Sequence, residues 1–113
     1  MAAVLLIDDD ASHVALYQLI LEKNGHTVQT AAPASEFKLP QAQVDVVLLD
    51  YRLGGIDAAA IARAIKEQRP ELPIITLTGF DIPPEAVKPY SFAMISKSSP
   101  NRLLTAIAEA ASK

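Results

Sequence analysis

The feature that most narrows what this chain can fold into is an alternation. Apolar runs of four to six residues, most of them closed by polar residues, are separated by longer stretches with helical periodicity. Val4-Leu5-Leu6-Ile7 runs into Asp8 and Asp9, Val46-Val47-Leu48-Leu49 into Asp50, Ile74-Ile75-Thr76-Leu77 into Thr78, and Phe92-Ala93-Met94-Ile95-Ser96 into Lys97. Runs of this length read as buried strands, and strands alternating with helical segments build a parallel sheet with helices packed against it. Five strands are expected, at about 3–8, 27–31, 44–50, 73–78 and 92–96. The third is almost continuously apolar, which predicts burial on both faces. The fold class is therefore α/β: a doubly wound five-stranded parallel sheet with helices on both faces.

With 113 residues, half of them hydrophobic, the chain can bury one core, so a single domain over 1–113 is expected. A net charge of -3 offers no basic stripe to a phosphate backbone, which argues against direct nucleic-acid binding. No apolar run approaches the ~18 residues of a membrane span. Met1-Ala2-Ala3 lacks the basic start of a signal peptide, so a cytoplasmic protein with no membrane contact is expected. The absence of cysteine excludes disulfides and thiolate metal sites.

Helix signals lie between the strands. Asp10 or Ser12 can cap a helix whose Val14, Tyr17, Ile20 and Leu21 share a face, and Asn24-Gly25 supplies a left-handed stop. Asp57 precedes an alanine-rich helix, 58–68, with Ile61 and Ile65 one turn apart and Pro70 ending it. Ser99 as cap and Pro100 in the first turn open a last helix with Leu103, Leu104, Ile107 and Ala111 facing inward. The second and fourth helices should be short, because Pro33 and Pro40 bracket one, and Pro83, Pro84 and Pro89 leave about one turn near Glu85-Ala86-Val87 for the other. His26 is expected to cap the turn after Gly25. His13 lies in the first helix near the acids, where a phosphorelay or metal histidine is the alternative, and is expected to be a partly exposed first-turn side chain.

In open α/β sheets ligands bind outside the carboxyl ends of the strands, where the strand order reverses. The order 2-1-3-4-5, taken from known doubly wound sheets rather than read from these residues, makes strands one and three neighbours and brings Asp8, Asp9 and Asp50 into one crevice. Two unit charges 4 Å apart cost roughly 4 kcal/mol at an effective dielectric of about 20, so such a cluster calls for a cation. Oxygen ligands without cysteine suit Mg²⁺, which takes one or two carboxylates and leaves room for phosphate oxygens. A carboxylate beside a metal and an ammonium group is suited to accept a phosphoryl group. Asp50 is the candidate nucleophile, with Lys97 and the Thr78 hydroxyl directed to phosphoryl oxygens.

Over nearly its whole length the chain resembles a response-regulator receiver domain. The resemblance rests on Leu6-Ile7-Asp8-Asp9-Asp10, Leu48-Leu49-Asp50-Tyr51-Arg52-Leu53, Leu77-Thr78-Gly79 and Ser96-Lys97. It implies that Asp8, Asp9 and Asp50 hold Mg²⁺ together with the backbone carbonyl of Arg52, and that Asp10 caps the helix. It further implies that Asp50 takes phosphate from a histidine kinase or a histidine phosphotransfer domain. The strings Asp50-Tyr51-Arg52-Leu53, Glu71-Leu72-Pro73-Ile74 and Leu77-Thr78-Gly79-Phe80 resemble receivers of hybrid sensor kinases most.

Several residues depart from the family pattern. Lys97-Ser98 stands where Lys-Pro with a cis bond is usual, and a trans bond is expected here because a cis bond before a non-proline residue costs ~3 kcal/mol. Met94 replaces a switch aromatic, Thr78 and Lys97 are only 19 positions apart, Ala58 replaces a glycine, and Gly54-Gly55 replaces a proline-containing turn. Three functions compete. The leading one is a phosphoacceptor signalling module that is not a turnover enzyme; the second is a degenerate receiver acting in phosphorylation-independent docking or homodimerisation. The third, a small phosphatase using Asp50 covalently, needs a second base, and no suitably placed Glu or His is evident in the sequence beside that residue.

Overall fold

A short apolar run satisfies its backbone by pairing on both edges and hides its side chains by being covered on both faces, and this chain does both. The computed structural model describes residues 2–31, 38–40, 43–53, 56–79, 85, 87–96 and 99–112, with the backbone alone at 52, 53 and 56. Along the chain the elements are β1 (Ala3–Ile7), α1 (Ala11–Lys23), β2 (Thr27–Ala31), β3 (Val46–Asp50), β4 (Arg52–Leu53), β5 (Ile56–Asp57), α2 (Ala58–Gln68), β6 (Ile74–Thr78), a 3-10 turn (Lys88–Tyr90), β7 (Ala93–Ser96) and α3 (Pro100–Ala111). The main sheet is parallel throughout, in the order β2-β1-β3-β6-β7, which is the doubly wound order expected. β3 and β6, central in the sheet, are buried at every position.

Alternation along the strands sorts the core into two layers. Val4 and Leu6, Val46 and Leu48, and Ile75 and Leu77 pack with Tyr17 and Leu21 of α1 and with Leu103, Ala106, Ile107 and Ala110 of α3. Leu5 and Ile7, Val47 and Leu49, and Ile74 pack with Ile61, Ala62 and Ile65 of α2 and with Val87. Helices thus cover both faces. β2, at the sheet edge, has no fully buried residue.

The expected caps at Asp10 and Asp57 and the expected turn at Gly25 are in place. Asp10 is the N-cap of α1, its side chain accepting from the backbone N–H groups of Ser12 and His13 at 2.9 and 3.3 Å, and Ser12 lies inside the helix. Asp57 caps α2 by accepting from Ala59 N at 3.0 Å. Gly25 has φ +86° and makes the turn out of α1, a conformation with little penalty only for glycine. α2 stops at Gln68, two residues before Pro70, because the residue preceding a proline is driven out of the helical region.

Three expectations are corrected. In α3 Leu103 and Ile107 are buried and Leu104 packs half-buried against the core, as expected, but Ala106 and Ala110 are the other inward positions and Ala111 is exposed. Ser99 occupies the N-cap position of α3 without a side-chain capping bond. His26 does not cap the turn with its side chain; its Nδ1 accepts from Ala2 N at 3.1 Å, and the turn is closed by His26 N donating to Leu21 O. In the proline-rich segment Lys88 N donates to Glu85 O at 3.3 Å, closing a turn where one was expected, and a 3-10 turn follows at Lys88–Tyr90, since Pro89 tolerates the first turn of a helix and nothing deeper. The antiparallel pair β4–β5 was not expected, although Gly-Gly between two short segments is a hairpin signal. Most of the expected second helix, and the bond between Lys97 and Ser98, lie outside the described residues.

Candidate functional site

The register of the sheet decides which side chains meet at its carboxyl end. Leu6 pairs with Leu48 and Ile7 with Leu49, so one further step sets Asp8 beside Asp50. Both are buried: Asp8 is 6% and Asp50 1% exposed. Asp8 Oδ1 accepts from the backbone N of Asp10 at 2.9 Å, which folds the chain back into the cap of α1. Asp8 Oδ2 has no hydrogen-bond partner among the described residues.

α1 carries a third group into this place. His13, Tyr17 and Leu21 lie four residues apart and form one stripe, of which Tyr17 and Leu21 enter the core while His13 reaches the strand ends. His13 Nδ1 lies 3.6 Å from Asp8 Oδ2 and 4.0 Å from both Asp10 Oδ2 and Asp50 Oδ2. Ligand-type atoms of Asp8, His13 and Asp50 all fall within 4.8 Å of one another. The His13 ring meets Tyr17 edge to face at a centroid separation of 6.3 Å. The partly exposed side chain expected near the acids is confirmed, at 38% exposure, whereas the expectation that no histidine stands beside Asp50 is corrected by the inward nitrogen. The signal was the spacing to Tyr17.

The electrostatics follow from burial. Loss of water, opposed by the Asp10 N–H and reinforced by the nearby Asp50 charge, pushes the Asp8 carboxyl up to about 6. Burial raises the Tyr17 phenol as well, with Asp50 and Asp8 adding to the rise. A pocket that raises the pKa of its own carboxylate and holds an unpartnered buried oxygen has the donor set and the charge deficit that a divalent cation meets. The residues present fit such an ion, to which Asp8 and Asp50 offer carboxylate oxygens.

The remaining candidates are placed as follows. Thr78 ends β6 and is 3% exposed, one residue beyond the Leu77 that pairs with Asp50. Tyr51 N donates to Leu77 O at 2.9 Å and ties the chain after Asp50 to the same strand. Asp9 is exposed and is not in the trio of Asp8, His13 and Asp50. Arg52 belongs to β4, its backbone paired with Asp57. Lys97 lies outside the described residues. Among the described residues no helix is long and apolar enough to cross a membrane.

Comparison with known proteins agrees with this arrangement. The response regulator receiver domain family matches residues 4–108. The alkaline phosphatase synthesis transcriptional regulatory protein PhoP of Bacillus subtilis is 32% identical over 80 residues, covering 69% of this chain and 33% of PhoP. The transcriptional regulatory protein GlrR of Escherichia coli is 34% identical over 88 residues, 76% of this chain and 20% of GlrR. The chain thus spans about a fifth to a third of the length of such relatives. Among solved structures, a response regulator receiver domain protein from Clostridium thermocellum superposes with a TM-score of 0.84 at 28% identity, covering 99% of this chain and 95% of that one. Sheet order, strand-end acids and family match converge, and this chain belongs to the response-regulator receiver domains.

Proposed function

We propose that residues 1–113 form one receiver unit of a two-component system in which Asp50 accepts a phosphoryl group from a phosphohistidine. The observation that carries the reading is the buried placement of Asp50 beside Asp8 at the carboxyl end of the sheet, where one Asp8 oxygen has no hydrogen-bond partner among the described residues. Asp8, Asp50 and the carbonyl of Arg52 would hold Mg²⁺, with Asp9 at the rim. Bound there, the ion offsets negative charge on the phosphoryl oxygens. An Asp50 oxygen attacks phosphorus in line, the phosphorus–nitrogen bond of the donor breaks, and the departing imidazole takes up a proton. Thr78 donates its hydroxyl to one phosphoryl oxygen and Lys97 its ammonium to another.

The donor in this reading is a histidine kinase or a histidine phosphotransfer domain, and the unit promotes its own modification without turning over a substrate. A cytoplasmic location and the capacity to form a homodimer belong to the same proposal. Two signals bear on the longer protein around it. The strings around Asp50 and Thr78 favour a hybrid sensor kinase, while PhoP and GlrR are transcriptional regulatory proteins and favour attachment to an output domain. Phosphorylation-independent docking, raised by Ser98 and Met94, draws no support from a preserved acid pocket that such a module does not need.

Incubation with Mg²⁺ and acetyl phosphate tests the reading by intact mass. The parent chain gains one phosphoryl group and Asp50→Asn gains none. No gain in the parent, or an equal gain in the variant, overturns it.

A further inference from the structure

We propose that His13 is a third ligand of the acid pocket, so that the site takes a nitrogen-accepting transition-metal dication of the Zn²⁺ class as well as Mg²⁺. The inference rests on the reading of Asp8 and Asp50 as metal ligands and deepens it.

Two buried atoms at this place have no hydrogen-bond partner among the described residues, Asp8 Oδ2 and His13 Nδ1, and they face each other at 3.6 Å. That separation is too long for a good hydrogen bond, which spans about 2.7–3.2 Å. It matches the gap between two atoms that each lie about 2.0–2.2 Å from one shared ion. Asp8 is nine-tenths buried, so its second oxygen is shielded from the water that would otherwise satisfy it. The Asp50 oxygen 4.0 Å from Nδ1 closes the triangle.

The ligand chemistry then decides the ion. Mg²⁺ prefers hard oxygen ligands and near-ideal octahedral geometry, and an imidazole nitrogen adds little to it. Imidazole suits zinc, copper, iron and nickel, and carboxylate oxygen and imidazole nitrogen are each ligands that Zn²⁺ accepts at about 2.0–2.2 Å. Cysteine is absent from the chain and His26 is its only other histidine, so a competing high-affinity zinc site is not built in. His26 lies toward the opposite end of β1, bonded to Ala2 N, and serves as an internal reference.

The experiment is a pair of titrations of the full chain, with Zn²⁺ and with Mg²⁺, followed through the two imidazole ring resonances and by calorimetry. With Zn²⁺ the His13 ring signals shift saturably and those of His26 stay in place. His13→Gln lowers Zn²⁺ affinity by about tenfold or more and leaves Mg²⁺ affinity unchanged. His13→Cys, which restores a soft ligand, recovers Zn²⁺ binding without altering Mg²⁺ binding, a pattern that a merely structural role does not produce. A silent His13 ring at zinc saturation, or equal losses for the two ions in His13→Gln, overturns the inference while Mg²⁺ binding keeps the proposed function standing. Failure of the parent to bind either ion overturns both.

Discussion

Asp8 shows how a residue can be unfavourable for folding and still be the one that makes the site. Its carboxyl is buried beside Asp50, and burial together with that neighbour raises its pKa from 3.8 to about 6. A carboxyl that holds its proton more tightly folded than unfolded makes the native state less stable once pH exceeds the folded value. At neutral pH and without metal, ionising Asp8 therefore works against the fold. Asp8→Asn removes that charge while keeping an oxygen to accept from Asp10 N, and it is expected to raise metal-free stability at pH 7 by roughly 1–2 kcal/mol. Chemical denaturation in the presence of a chelator measures this, and a less stable variant would show that the pocket tolerates both charges. Taken alone His13 is an ordinary first-turn histidine; taken with Tyr17 and Leu21 it is the end of a stripe whose other members are core.

At the scale of elements, β1 is held at its start by two titratable acceptors. Ala2 N donates to His26 Nδ1 at 3.1 Å and Ala3 N to Asp45 Oδ2 at 2.8 Å, one from the β2 side and one from the β3 side. Burial, and then the charge of the chain's amino terminus, lower the His26 pKa from its ordinary 6.5. Its contribution is complete above 6.5 and is lost as pH falls through the lower folded value, because a protonated Nδ1 cannot accept. The Ala3 N–H, followed by Gln43, lowers Asp45 from 3.8, so that contribution survives to more acid pH and disappears as pH falls through its folded value. His26→Ala should cost about 1 kcal/mol at pH 7.5 and visibly less at pH 5.5, whereas the cost of Asp45→Ala, about 1–2 kcal/mol, should be the same at both. Asp8 shifts total stability in the opposite direction over this interval, so the difference between parent and variant is the quantity to follow. A cost for His26→Ala that does not change with pH would refute the tie. Elements of this kind were legible in part. Strands and caps could be read because apolar runs and Asp10, Asp57 and Gly25 carry local signals. The inward face of α3 was set one residue off at Ala111 because alanine offers no contrast with Ala106 and Ala110. The β4–β5 pair is too short to show any periodicity.

For the molecule as a whole, the sheet order is what turns separate segments into one site. Asp8 follows β1, and Asp50 and Thr78 end β3 and β6, three strands made adjacent by crossovers that leave the β1–β3 junction open at its carboxyl end. That convergence was legible once an order was assumed, since each acid announces itself at the end of an apolar run. The nitrogen beside the acids was legible in part: His13 could be placed near them, but the helix rotation that turns its nitrogen to Asp50 is fixed by tertiary packing. A site assembled from elements on one continuous core transmits binding energy to the global fold, and this gives a test of the entire arrangement. Mg²⁺ at about ten times its dissociation constant should stabilise the native state by about 1.4 kcal/mol and raise Tm by several degrees. Asp8→Asn should begin with a higher Tm and gain almost nothing from the same Mg²⁺, reversing the order of the two proteins in metal-dependent response. Thermal melts of both, with chelator and with saturating Mg²⁺, measure the four values needed. Equal increments in parent and variant would mean that the ion binds elsewhere, and that the acids at the ends of β1 and β3 are not the place where charge and fold are coupled.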